Sequence, residues 1–280
     1  MRIDAHQHFW RYDAVEYGWI SDAMASLKRD FLPADLKPLL EGIGFEGSIA
    51  VQARHSLDET RWLLQLAEAH PFIRGVVGWV DLCSPDAPQH LEELADNRKL
   101  VGIRHVVQDE PEDEFLLRPD FCCGVALLRN CGLAYDILIY PRQLRVTASF
   151  ARRFPEQRFV LDHIAKPLIA DHVMEPWNKD IRALAEVPNV HCKLSGMVTE
   201  ARWRQWRRED FRPYLDAVLE AFGPARLMIG SDWPVCTLSA DYCSTMAIVL
   251  EFIDELSEGE REAILGSNCV EFYRLRDQRA

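Results

Sequence analysis

Residues 158–164 read RFVLDHI, and the chain runs on through Ala165 and Lys166 to Pro167. Phe159, Val160 and Leu161 make an apolar run with no polar alternation, the pattern of a strand covered on both faces in a parallel sheet. Asp162 and His163 then end the run abruptly. A polar pair inside an apolar strand costs roughly a few kcal/mol unless it is partnered, so its position needs a reason.

The same arrangement recurs along the chain. Apolar, β-branched segments stand at 2–6 (RIDAH), 47–52 (GSIAVQ), 74–80 (RGVVGWV), 101–106 (VGIRHV), 133–140 (LAYDILIY), 189–195 (NVHCKLS) and 226–233 (RLMIGSDW). Between them lie stretches with helical periodicity. One runs over 56–70, where Ser56 and Glu59 have capping-box spacing; others fall at 88–97, 121–131, 141–154, 180–187, 211–223 and 245–257. Eight strand–helix units predict a closed (β/α)8 barrel of TIM type, one domain over residues 1–280, with an open doubly wound sheet as the structural alternative. The connections 10–46 and 196–212 are long for plain turns, as lids and binding loops are. Within the second, RWRQWRR (202–208) reads as a solvated helical lid segment.

Composition narrows the partners. The 44 acidic residues exceed the 32 basic ones, a formal charge of −12 that repels nucleic acid and anionic lipid and favours a small-molecule partner. The eight cysteines contain no C-x-x-C pair and read as reduced, mostly buried thiols. The amino terminus lacks the apolar core of a signal peptide, and no run approaches the ~20 apolar residues of a membrane span. These features predict a cytoplasmic protein and leave a homo-oligomer open. Serine-hydrolase elbow, P-loop and dinucleotide fingerprints are absent.

In such a barrel the chemistry gathers at the carboxyl ends of the strands. There the sequence places His6 and His8, then Gln52, Arg104 with His105, Asp136, Asp162 with His163, Lys193 with Ser195, and Ser231 with Asp232. Residues two apart on a strand share a face, so His6 and His8 can enter the lumen together. With His163 and Asp232 they suit a divalent ion such as zinc; alone, the pair equally fits two core histidines bonded to carbonyls. Asp4, in phase with them, suits strand-end backbone groups better. Asp232 is a metal ligand or a general base, with a helix N-cap as the alternative. His163 is either a ligand or a donor to a carbonyl under attack. Arg104, whose fork donates two parallel bonds, His105, Gln52, Lys166 and Trp233 are candidates for holding substrate, and Lys193 for neutralising a neighbouring carboxylate.

Taken together, the opening D-A-H-x-H, LDHIAKP (161–167), KLSG (193–196), GSDWP (230–234) and GSNCVEFY (266–273) resemble the amidohydrolase superfamily from residue 2 to about 274. The likeness is strongest to its sugar-lactone hydrolases, the L-fuconolactonase and L-rhamnonolactonase type. It implies opening of a cyclic aldonic ester by water, with Asp232 activating the water and His6, His8 and His163 around the carbonyl. It also implies one divalent ion at most, since no lysine on strands four or five suits the carboxylated bridge of the binuclear members, and some lactonases of this branch work without metal. No organic cofactor is expected. A metal-dependent decarboxylase of an aromatic acid and a catalytically silent ligand-binding barrel are the alternatives.

Overall fold

The computed structural model describes residues 1–275. Eight strands follow one another in a single parallel sheet in chain order: β1 (Ile3–Gln7), β2 (Gly47–Val51), β3 (Ile73–Gly78), β4 (Leu100–Val106), β5 (Ala134–Leu138), β6 (Phe159–Leu161), β7 (Val190–Leu194) and β8 (Leu227–Ile229). The seam between the first and last strands closes beyond the end of β8. There Asp232 N–H donates to His6 O at 2.8 Å and His8 N–H to Trp233 O at 2.7 Å. The hydrogen bonds that close the barrel therefore lie among the candidate site residues. The (β/α)8 reading holds, and the open sheet does not.

Helices α1 (Pro33–Gly42), α2 (Leu57–Ala69), α3 (Ala87–Ala95), α4 (Pro119–Asn130), α5 (Leu144–Arg153), α6 (Trp177–Ala185), the short α7 (Met197–Glu200), α8 (Arg212–Phe222), α9 (Tyr242–Ile253), α10 (Glu258–Glu262) and α11 (Asn268–Tyr273) fill the connections. Ser56 caps α2 as its spacing predicts, accepting from Glu59 N–H. The Glu59 carboxylate, however, is buried and turns to the N–H groups of Ala53 and Arg54. Instead of closing a capping box, it braces the loop after β2 that carries Arg54 and His55.

Two strands stop earlier than the sequence suggests. β6 ends at Leu161 because the next residues leave the extended region: His163, Ile164, Ala165 and Lys166 all have φ between 49° and 59°. A left-handed residue other than glycine costs about 1–2 kcal/mol, and Ile164 is β-branched, so the turn is held by its surroundings. Trp177 Nε1 donates to Ile164 O at 2.8 Å, and Lys166 N–H to His163 O at 2.8 Å. β8 likewise gives way before Asp232, at φ 57°. RWRQWRR is not the expected helix. Helical structure ends at Glu200 and the segment continues as a turn, anchored by Trp203 Nε1 on Thr199 O and Trp206 Nε1 on Ser239 Oγ. These bonds hold the two indoles against the barrel, while Arg202, Arg204, Gln205, Arg207 and Arg208 are exposed to solvent as expected.

The lumen is layered. At its amino-terminal end Ile3, Ile49, Val77, Val101, Val160 and Met228 pack with Phe272 and Tyr273 of α11, which plug the barrel. Above them sits a charged layer of Asp136, Asp162, Lys193 and Arg104, all buried, and above that the histidines. Among the described residues no helix is long and apolar enough to cross a membrane.

Candidate active site

The closing seam sets Asp232 over the first strand. Its Oδ1 lies 3.3 Å from His8 Nε2, 3.8 Å from His6 Nε2 and 3.8 Å from His163 Nε2. His6 and His8 Nε2 are 3.2 Å apart, so the two side chains do share the lumen face. All four predicted metal ligands thus converge. The Asp232 side chain does not cap a helix: the following 3-10 turn, Val235–Leu238, begins after Pro234 with no side-chain cap.

Each histidine has a fixed partner on its other nitrogen. His8 Nδ1 donates to Val51 O at 2.8 Å, an acceptor only, so the neutral ring presents a bare Nε2 lone pair to the lumen. His6 Nδ1 lies between Asp162 Oδ1 at 3.3 Å and Lys193 Nζ at 3.2 Å. His163 Nδ1 meets Ser195 Oγ at 2.9 Å, and a hydroxyl can either accept or donate there.

Electrostatics favour neutral imidazoles beside an ionised carboxylate. Burial pushes His6 well below its ordinary value, with Lys193 and His163 adding to the effect. Burial also pushes His163 down to about 4, against the pull of Asp232 and Asp162. For Asp232, burial works against the charge, yet His163, His8 and His6 hold its carboxyl well below the usual range.

These donors fit one divalent ion. Ligand bonds of about 2.0–2.2 Å space nitrogen and oxygen ligands roughly 3–3.6 Å apart around zinc, close to the spacings among His6, His8 and Asp232. The alternative trio of His6, Asp162 and His163 also lies within 4.8 Å. Asp162 instead meets His6 through Nδ1, as an outer carboxylate that orients the ring.

Beneath the histidines, Lys193 Nζ bonds Asp136 Oδ2 at 2.5 Å and Asp162 Oδ1 at 3.0 Å, the neutralising role its sequence position suggests. Asp4 also behaves as expected, accepting from the N–H groups of Ser231 and His6 and from Ser231 Oγ at the seam.

A cavity of about 690 Å³ opens above this floor, lined by His8, His163, Asp232, Arg104 and Lys166. Its size is that of a small-molecule site. Three residues expected to hold substrate do not line it. Gln52 is fully buried and serves Arg104, accepting from its Nη2 through the backbone carbonyl at 2.5 Å. His105 stands behind the wall. It accepts from Trp79 Nε1 and reaches Glu110 at 2.6 Å, with its ring stacked 4.2 Å from that of His55. Trp233 packs into the core against Phe9 and Phe31. Arg104 lines the cavity, but Nη1 is engaged by Asp162 at 3.0 Å and lies 3.3 Å from His6 Nε2.

Two tryptophans of the long connections, Trp19 and Trp203, line the wall, as their side-chain type allows from sequence, and the wall also holds residues that sequence reasoning passed over: Met24, Arg54, Tyr140 and Glu200. For Met24 and Glu200 the signal was the unusual length of the two long connections, which marked the segments without identifying the side chains; Arg54 and Tyr140 lie outside both and carried no such signal.

The family model described as amidohydrolase matches residues 3–275. Among curated proteins, an L-fucono-1,5-lactonase of Burkholderia multivorans is 46% identical over 98% of this chain and 96% of its own length. Another L-fucono-1,5-lactonase, from Burkholderia ambifaria, is 40% identical over 98% of this chain and 96% of its own. A crystal structure of an amidohydrolase from Burkholderia multivorans with bound zinc superposes with a TM-score of 0.94 at 45% identity, covering 99% of this chain and all of that one.

Proposed function

The chain belongs to the amidohydrolase family, and on that premise we propose that it hydrolyses a sugar lactone, L-fucono-1,5-lactone or a close analogue, to the open aldonic acid. The observation that carries the reading is the Asp232 carboxylate oxygen set 3.3–3.8 Å from three histidine Nε2 atoms at the floor of a small-molecule cavity. Full-length relatives that are lactone hydrolases favour it over a decarboxylase or a silent binding barrel.

In this mechanism Asp232 takes a proton from water as the oxygen attacks the lactone carbonyl. The ring C–O bond then breaks, and Asp232 returns the proton to the departing alkoxide. His163 faces the carbonyl oxygen. When Ser195 Oγ–H donates to Nδ1, His163 carries its proton on Nε2 and can stabilise the oxyanion; when Ser195 accepts, Nε2 is a lone pair. Lys166, on the cavity wall, meets substrate oxygens.

His6, His8, His163 and Asp232 would hold one divalent ion, for which we propose zinc, and such an ion polarises the carbonyl as a Lewis acid. We further propose that turnover persists without it. Arg104 keeps a guanidinium nitrogen 3.3 Å from His6 Nε2, a permanent positive charge beside the reacting centre, and Ser195 lets His163 donate. Of the eight cysteines only Cys192, Cys236 and Cys269 are buried, fewer than expected, and all are unpaired, which fits a reducing, cytoplasmic setting.

A panel of aldono-lactones, followed by acid release with and without chelator, tests substrate and metal together. The expected result is fastest release from L-fucono-1,5-lactone, with activity surviving chelation. Binding without acid release from any lactone would overturn the reading, and activity abolished by chelator and restored by zinc would overturn the dispensable metal.

Gly196 offers a separate test of His163. It has φ +65°, and a Cβ there would stand 2.4 Å from His163 Nδ1. Gly196→Ala therefore forces the imidazole aside, and misplacing a reacting group by about 1 Å costs roughly a hundredfold in rate. Steady-state kinetics should show a kcat loss of that order; unchanged kcat in the folded variant would remove His163 from the reacting centre.

A further inference from the structure

We propose that Glu200, with Lys166 lining the same cavity, reads the ring hydroxyls of the substrate and so decides which sugar lactone is accepted. The inference rests on the lactonase reading and adds a residue to it.

Four carboxylates line the cavity: Asp109, Glu110, Glu200 and Asp232. Three are engaged. Asp232 lies among the histidines, Glu110 meets His105 Nε2 at 2.6 Å, and Asp109 accepts from Gln108 Nε2 at 3.3 Å. Glu200, at the end of α7, accepts no hydrogen bond and forms no ion pair among the described residues. It is nonetheless half-buried. Glu200, Lys166 and Asp232 all line the one cavity; burial pushes the Glu200 carboxyl above the ordinary value, Lys166 opposes that shift and Asp232 adds to it. Lys166 too lacks a carboxylate partner, and its Nζ lies 5.6 Å from the centre of the Tyr140 ring.

A partly desolvated carboxylate without donors is costly unless a ligand supplies them. The cations on the wall, Arg54, Arg104 and Lys166, donate only, so they meet the lone pairs of a sugar and not its hydroxyl protons. An ionised Glu200 is the complementary group: its two oxygens can take O–H bonds from neighbouring hydroxyls, and such charge-assisted bonds are short and strong. Lys166 can then donate to an oxygen of the same substrate. A site that bonds particular hydroxyls discriminates far more sharply against analogues lacking them than an apolar pocket does.

The test compares kcat/KM for L-fucono-1,5-lactone with that for δ-valerolactone, which has the ring and no hydroxyls, in wild type, Glu200→Gln and Lys166→Met. The ratio of the two should fall in Glu200→Gln by roughly tenfold or more, with a smaller fall in Lys166→Met. A second measurement is independent of turnover: the Kd of the unreactive lactam of L-fuconic acid, followed by fluorescence of Trp19 and Trp203 on the same wall, should rise by a similar factor in Glu200→Gln. An equal fall for both lactones, or a ratio and lactam affinity unchanged within twofold, would overturn the proposal. A wild type that opens no lactone would sink the lactonase reading instead, while the lactam titration would still decide on Glu200.

Discussion

Replacing Asp232 by asparagine is expected to lower kcat by about a thousandfold, within the roughly 10²–10⁴-fold that a positioned general base contributes, while the barrel stays folded. Asparagine keeps the shape of the side chain and tolerates the left-handed backbone that residue 232 adopts, φ 57°. It also keeps the N–H that donates to His6 O at 2.8 Å and helps close the barrel. What it loses is the anion. In wild type the surrounding histidines hold this carboxyl well below the usual range, and burial holds His163 down to about 4. At neutral pH the base is therefore ready and His163 is neutral, so protonation of His163 should lower kcat as pH drops towards 4. Because Asp232 can also bind metal, zinc content separates its two roles. A kcat loss with zinc content unchanged assigns proton transfer; a loss restored by added zinc would make the residue a ligand first. Near wild-type turnover would remove Asp232 from the mechanism.

The sequence was most informative where buried backbone demands a simple pattern. Strands such as β5 and β7 are apolar because helices and lumen cover both faces, so their positions could be read to within a residue or two. The convergence of His6, His8, His163 and Asp232 was legible for a related reason: polar groups in an apolar strand must be explained by one another. The depth of each side chain was not legible. Gln52, His105 and Trp233 stand at strand ends as Arg104 does, yet face inward or backward, because small local turns decide which side of the rim a side chain takes. The left-handed run at His163–Lys166 is such a turn, and no glycine announces it. The wall residue Glu200 was out of reach for a different reason. Loop side chains obey no periodicity, and their positions are set by contacts distant in sequence.

Lys193→Met should cost the most stability of any single change in the lumen, by about 3–5 kcal/mol, the range for removing one partner of a buried ion pair. The ammonium is fully buried. Burial works against its charge, but Asp136 and Asp162 outweigh it and raise its pKa. Methionine fills similar volume and leaves Asp136 with only Tyr273 OH, at 2.7 Å, to satisfy it. Asp162 would keep Arg104 at 3.0 Å, so the greater strain falls on Asp136, which burial already holds above its ordinary value. A buried carboxylate deprived of its cation titrates higher still, so the folded variant binds a proton that the unfolded chain releases near pH 4. The deficit should accordingly be small around pH 4 and grow as pH rises towards 7, a dependence that urea unfolding at several pH values would measure. The double variant Lys193→Met with Asp136→Leu removes both charges, and replacing a buried pair by apolar groups is often neutral; it should recover most of the loss and flatten the pH dependence. Equal destabilisation at all pH values, or no recovery in the double variant, would mean that Lys193 stabilises by packing and not by charge. The recovered barrel should still turn over lactone more slowly than wild type, because Lys193 Nζ stands 3.2 Å from His6 Nδ1 and helps fix the ring that faces Asp232.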